Sequence, residues 1–337
     1  MNDSFFCATL LRWFTDNRRE LPWRDTRDPY QIWLSEIILQ QTRIAQGMAY
    51  WQRFVNRWPT VGDLAAATED EVLREWQGLG YYSRARHLHQ AARQIAAIGR
   101  FPDTIDGLRR LKGVGDYTAA AIGSIAFDLP AAVVDGNVFR LLARHYDIDT
   151  PINTTEGKHT FTALAQSLLP PAQAADFNQA MMDFGALVCT PRAPQCSRCP
   201  LQQSCAALRN GRVEERPVKR HTLKVRERHL TYIYIRCQGF TAIRRRGSGD
   251  IWQGLWEPYL EEGSADASSA IRSAGTLTLL RQGVRHVLTH QVLLADFFLL
   301  TTDERPPLPP DYIWIPESNL DDYALPRLVE RLLSLIP

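Results

Sequence analysis

Between residues 189 and 205 the chain reads CTPRAPQCSRCPLQQSC, a Cys-x6-Cys-x2-Cys-x5-Cys run that no other feature matches as a constraint on folding. Four thiolates this close in sequence can wrap one iron–sulfur cubane from a single loop, which must then curl around it. Pro191, Pro194 and Pro200 stiffen that loop. A structural zinc site is the alternative, but it usually presents two Cys-x2-Cys pairs across a longer loop. Only Cys196 and Cys199 form such a pair here. Spacing therefore favours a cluster on Cys189, Cys196, Cys199 and Cys205 and leaves zinc open. Cys7 and Cys237 lie far off in sequence and read as ordinary buried thiols.

The rest of the composition sets broad limits. At 337 residues the chain has room for two domains, and 45% hydrophobic with 23% charged residues describes a globular protein. A net charge of +2 does not by itself mark a nucleic-acid binder, so that reading needs local motifs. Asp3, Arg12 and Asp16 make the N-terminus an amphipathic helix and not a signal peptide. No run reaches the roughly 18 apolar residues of a membrane span. A cytoplasmic protein (nucleoid-associated in a prokaryote) with no membrane partner is expected, where thiols serve as metal ligands more than as disulfides.

Residues 5 to about 208 read as successive helices, among them Tyr30–Phe54, Glu69–Gln77, Arg84–Ile98, Ile105–Leu111, Thr118–Phe127, Val138–Tyr146 and Gly157–Leu169. Turn residues at 78–80, 113–115 and 170–171 punctuate them. The domain reading is an all-α domain over 1–211, including the cysteine segment 189–205, and a charged, mainly basic linker over 212–229. A smaller α+β domain follows over 230–337. Its strand candidates are LTYIYIRC, FTAIRRR, HQVLLADFFLL and DYIWIP, and its helices Asp266–Ser273 and Leu325–Leu335.

Three motifs carry chemistry. In Leu111–Thr118, Gly113 and Gly115 flank Val114, permitting a tight turn that bares backbone N–H groups at a helix start, where a phosphate is favoured. Taken alone, such a turn is more often a plain interhelical connection. Glu36 sits between Ile32 and Leu39 on one side and Trp33, Ile37 and Ile44 on the other. Desolvation there raises a carboxyl pKa and suits a general acid, whereas an edge glutamate would point at solvent. Asp135 follows an apolar run and precedes a helix, so it reads as an N-cap whose amide partners keep it ionised. One raised and one lowered carboxylate is the division used to cleave glycosidic bonds.

Taken in order, LPWR, WLSEIILQQT, GLGYYSRAR, LKGVGDYTAAAI, VVDGNV, FNQAMMDFGALVCT and the four cysteines resemble the adenine DNA glycosylases of the MutY type, from about residue 20 to residue 208 and more weakly beyond. The resemblance implies a helix-hairpin-helix glycosylase domain with a [4Fe–4S] loop, followed by a Nudix-like domain that recognises 8-oxoguanine. It implies a monomer acting on duplex DNA, which removes adenine mispaired with 8-oxoguanine or guanine by flipping it out. Glu36 would protonate the adenine, Asp135 would stabilise the cationic sugar, and Tyr117 and Asn137 would support them. Gln41 and Tyr81 match residues that wedge into the duplex, Arg24 matches one near the adenine pocket, and Thr42 adjoins Gln41 in the same motif. Related lyases carry a lysine where this chain has Tyr117, so a monofunctional enzyme is implied, with Lys112 a remote lyase candidate. The family's Phe-Ser-His recognition loop appears as Leu288-Thr289-His290, and a pocket position that is Glu in some members is Gln179. The REx2E pattern of a hydrolytic Nudix site is absent from Glu257–Leu280. Arg192 and Arg198 on the cysteine loop are expected to face DNA phosphates.

Overall fold

The helical run is cut into shorter pieces than its periodicity suggests. The computed structural model describes residues 3–220, 225–263 and 269–337. Its helices are α1 (Asp3–Asn17), α2 (Pro29–Ile38), α3 (Ile44–Arg57), α4 (Val61–Ala66), α5 (Glu69–Glu75), α6 (Ser83–Ile98) and α7 (Ile105–Arg109). They continue with α8 (Asp116–Phe127), α9 (Gly136–His145), α10 (Thr155–Leu168), α11 (Ala174–Leu187), α12 (Ala206–Arg209), α13 (Ser269–Arg272) and α14 (Arg327–Leu333). The single helix expected over Tyr30–Phe54 is two, because Gln41 takes a left-handed φ of 55° that no α-helix accommodates.

Two units emerge, one of Met1–Ala65 with Gln90–His221, the other of Ala66–His89 with Thr222–Pro337. Composition gives no sign that residues 66–89 group with the C-terminal part of the chain. The linker reading of 212–229 also shortens. Arg216 is buried against Asp147 at 2.9 Å and the Arg220 N–H donates to Asn153 Oδ1, both within the first unit. At the other end a strand begins at Arg226. Residues 264–268 of the expected helix Asp266–Ser273 lie outside the described residues.

In the first unit, α1, α9, α10 and α11 bury Phe6, Leu10, Leu141, Leu142, Phe161, Phe177 and Phe184 in one core. Each such side chain contributes ~1.5–3 kcal/mol by leaving water. Helix starts are set by local chemistry. Asp28 accepts from the Tyr30 amide ahead of a first turn that begins with Pro29, and Thr68 with Glu71 forms a reciprocal capping box. On α8 the small residues of TAAAIGSIA permit close packing: a Cβ at Gly123 would sit 2.7 Å from Ile105 Cδ1.

The second unit is built on seven strands, β1 (Arg226–Cys237), β2 (Phe240–Arg245), β3 (Trp256–Glu257), β4 (Tyr259–Glu262), β5 (Thr276–Val287), β6 (Gln291–Thr302) and β7 (Tyr312–Pro316). Their order is β3-β2-β1-β6-β5, with β4 also on β1 and β7 on β2. β1 and β6 run parallel from Arg226↔Gln291 to Cys237↔Thr302, and the other pairs are antiparallel. Helix α14 covers Tyr232, Phe297 and Leu299 with Leu328, Val329 and Leu332. β5 is not evident in the sequence. It is a largely exposed strand whose register shifts twice, so apolar alternation is broken.

Candidate active site and iron–sulfur loop

A cleft of about 950 Å³ in the helical unit brings together Arg24, Glu36, Gln41, Thr42, Tyr117, Asp135, Asn137 and Gln179. α2 ends at Ile38, so Gln41 and Thr42 form its rim in the turn before α3. Sequence separations of about a hundred residues thus collapse into one wall.

Glu36 Oε2 accepts a hydrogen bond from the Tyr117 hydroxyl at 2.9 Å. Burial pushes the Glu36 carboxyl up to about 7; the Tyr117 bond opposes this, the Asp135 charge adds to it, and Arg24 opposes it weakly. Burial among carboxylates holds the Tyr117 phenol well above its ordinary value, so it stays a donor. That matches the raised acid expected from the sequence.

Asp135 is the cap of α9, and its Oδ1 accepts from the amides of Asn137 and Val138, each at 2.8 Å. Its Oδ2 accepts from Asn137 Nδ2 at 2.7 Å. The expectation that these donors lower its pKa is not met: burial raises Asp135 despite all three. The division between the two carboxyls survives in another form. Asp135 has three donors plus the Arg140 charge to favour its anion, whereas Glu36 has the Tyr117 hydroxyl.

Several side chains that place these groups escaped sequence reasoning, and most lie on α11. Buried Asn178 holds the approach to Asp135 through the Val133 amide at 3.0 Å and the Ala131 carbonyl at 2.8 Å. At Gly185 an added Cβ would come within 2.7 Å of Asn137 Cβ, so α11 can press on the cap only where it lacks a side chain. Asp183, fully buried, accepts from Arg24 Nη1 and Nη2 at 2.8 and 2.9 Å and from Arg19 Nε at 2.8 Å. Burial would raise Asp183, but the two arginines outweigh it and lower its pKa. Arg24, expected at the adenine pocket, does line the cleft and is anchored by this ion pair.

The hairpin behaves as its glycines require. Gly113 has φ 78°, Val114 is buried, and Gly115 caps α8 with open space where a Cβ would be. The first-turn amides of α8 therefore face no side-chain cap.

Cys189, Cys196, Cys199 and Cys205 line one cavity together with Arg144, Leu201 and Val213. Arg144 Nη1 lies 3.5 Å from Cys189 Sγ and donates to the Thr190 carbonyl at 2.7 Å. Burial pushes the Cys199 thiol up to about 12. Among the described residues no three His, Cys, Asp or Glu groups converge on a single-ion site. Four thiols lining one cavity are the donor set of a cubane, in which each thiolate binds a different iron. The same loop reaches the cleft: Arg140 donates from Nε to the Cys189 carbonyl at 2.7 Å and from Nη2 to Asn137 Oδ1 at 2.8 Å.

In the second unit, Tyr81 has a left-handed φ of 47°, is half exposed, and its hydroxyl lies 3.0 Å from Thr289 Oγ1. His290 is exposed, whereas Leu288 packs against the core below α14. The carboxylates of 257–262 are taken by arginines: Glu257 by Arg244 and Arg246, Glu261 by Arg272, and Glu262 by Arg228.

Residues 34–168 match the HhH-GPD superfamily of base excision DNA repair proteins, residues 189–205 the iron–sulfur binding domain of endonuclease III, and residues 230–335 the NUDIX domain. The fold is thus a helix-hairpin-helix repair domain with an iron–sulfur loop and a Nudix-like partner, and the cofactor is a [4Fe–4S] cluster that the four cysteines would hold. The chain belongs to the adenine DNA glycosylase family. It is 33% identical to the adenine DNA glycosylase of Buchnera aphidicola (subsp. Schizaphis graminum), over 74% of this chain and 73% of that one. The Mus musculus adenine DNA glycosylase is 46% identical over 60% of this chain, which spans 41% of that relative's length. A thermostable thymine-DNA glycosylase of known structure superposes with a TM-score of 0.57 at 31% identity, covering 62% of this chain and 97% of that one. Among the described residues no helix is long and apolar enough to cross a membrane.

Proposed function

We propose that the protein is a monofunctional DNA glycosylase that removes adenine mispaired with 8-oxoguanine, or with guanine, from a nucleotide flipped out of duplex DNA. The observation that carries this reading is the pair Glu36 and Asp135 on one cleft, the first with its carboxyl pushed up to about 7 and the second capped by three donors. Glu36 gives its proton to adenine N7, so the electron pair of the C1′–N9 bond leaves with a neutral base. Asp135 stabilises the cationic sugar, and water adds at C1′ as its proton passes to the Glu36 carboxylate. Tyr117 holds Glu36, and Asn137 holds Asp135. A phenol cannot form a Schiff base, so the product is an intact strand with an abasic site.

Residues 1–211 form the catalytic part in this reading, with Gln41, Thr42 and the Gly113–Gly115 hairpin on DNA. The part over 230–337 reads 8-oxoguanine through Thr289 and His290 with Tyr81. With its carboxylates neutralised by arginine, it binds a nucleotide without hydrolysing one. Cys189, Cys196, Cys199 and Cys205 would hold the [4Fe–4S] cluster and with it the fold of the loop carrying Arg192 and Arg198 to the phosphates, and the protein works as a monomer. The test is an end-labelled duplex with one adenine opposite 8-oxoguanine, analysed with and without alkali. Breaks after alkali alone are expected. Breaks without alkali, or product from a guanine:thymine duplex in place of this one, would overturn the reading.

A further inference from the structure

The Tyr117 hydroxyl has one proton and two acceptors in reach. Glu36 Oε2 lies at 2.9 Å and the Met182 thioether sulfur at 3.8 Å. Met182 belongs to α11, lines the cleft, and packs with Tyr117 against Ala120, Ala121 and Val133. With Glu36 ionised, Tyr117 donates to the carboxylate. With Glu36 protonated, the carboxyl has its own proton to place, and the phenol oxygen is the polar protein atom 2.9 Å away. The phenol proton must then turn elsewhere or be left unsatisfied in a partly buried site, which is unfavourable.

We propose that Met182 is the alternate acceptor of a two-position hydrogen-bond switch, in which Tyr117 donates to Glu36 when that group is ionised and to Met182 Sδ when it is protonated. A thioether is a weak acceptor, but its effect here is one-sided: it stabilises the protonated partner and not the anion. Met182 is thus a positioning residue for the acid. When Glu36 passes its proton to the base, the phenol proton rotates back to the new carboxylate, and no charge other than that one proton has moved. Four other charged groups lie on the elements around Glu36. Arg24 is held by Asp183, Arg19 is held by the same carboxylate, and Asp135 is held by Asn137 and Val138; Arg43 lines the cleft wall.

This inference rests on Glu36 being the general acid, and the test separates the two. An acid must be protonated to act, so single-turnover adenine release falls as pH rises through the Glu36 pKa. Met182→Leu keeps the volume and removes the acceptor, so it should move that descending limb to lower pH, by about half a unit. Met182→Gln restores an acceptor of similar reach and should bring the limb back. In a Tyr117→Phe background, which has no proton to switch, Met182→Leu should move the limb no further. That double-mutant comparison keeps the idea testable if the single variant is less stable, since packing losses would persist in it. A limb that stays put in Met182→Leu, or that shifts equally with and without the Tyr117 hydroxyl, overturns the switch. Full activity in Glu36→Gln would instead remove the acid assignment itself.

Discussion

Asp183 and Glu36 are carboxylates of one helical unit, each withdrawn from water, and their surroundings drive them in opposite directions. At the α11 end, Asp183 is fully buried yet held below its ordinary pKa, because Arg19 and Arg24 supply charged donors to both oxygens. On α2, Glu36 is pushed up to about 7 because desolvation there is met by the Tyr117 hydroxyl as its donor and by no arginine pair. Burial sets the stakes in both places and the donor supply decides the outcome. Asp183 is built to be a permanent anion that braces the cleft, and Glu36 to exchange a proton within it.

The sharpest way to break this contrast is to remove the proton from Glu36. Glu36→Gln should slow adenine release by about 10²–10⁴-fold while binding to the mispaired duplex persists, as single-turnover and filter-binding assays can show. At Asp183 the same chemical change should act on folding. Asp183→Asn leaves Arg19 and Arg24 short of their counter-charge and should cost about 3–5 kcal/mol in denaturant unfolding. A loss of only a few tenths would mean the ion pair is not the brace described here. A smaller effect has a definite sign with pH. Glu36 has a raised folded-state pKa, so the cost of ionising it in the fold grows from about 4.5, the ordinary value, and is complete above about 7. Glu36→Gln should therefore melt higher than the parent protein at pH 8, by at most about 3 kcal/mol, with the gap closing toward pH 4.5. Asp183 works the other way, stabilising above the ordinary carboxylate range and ceasing to do so as pH falls through its depressed value. The smallest effect concerns Asp135. Arg140→Met removes the link between Asn137 and the Cys189 carbonyl and should lower the release rate about tenfold, a loss of ~1.4 kcal/mol, with the cluster's absorbance retained.

The two groups were unequally legible in the sequence. Glu36 is suggested locally, as a carboxylate among Ile32, Trp33 and Ile37 on a helix, and the cysteines by spacing, but a solvent-facing glutamate and a zinc site stayed open until the ordered motifs were read together. Asp183 is not, because its partners Arg19 and Arg24 lie 164 and 159 positions away and nothing local pairs them with it. The role of Asp135 as a cap was readable, but not that burial would outweigh its amides. The break after α2 has no glycine or proline to announce it, since Gln41 itself takes the left-handed turn. β5 stayed hidden because its exposure and register shifts erase alternation, and the grouping of residues 66–89 with the C-terminal unit is tertiary information. Leu288 shows the same limit, since its place in the loop is visible in the sequence and its burial is not.

The central claim is that Glu36 is a proton carrier poised near neutrality while Asp183, a second buried carboxylate of the same unit, is not. The direct measurement is a carboxyl titration by carbon-13 NMR on protein labelled at glutamate and aspartate side chains, with Glu36→Gln and Asp183→Asn identifying the two signals. A Glu36 midpoint near 7 with an Asp183 signal ionised throughout that range is the predicted result. A Glu36 midpoint at the ordinary value of about 4.5 would contradict it, because the group would then be empty of protons when the base must leave.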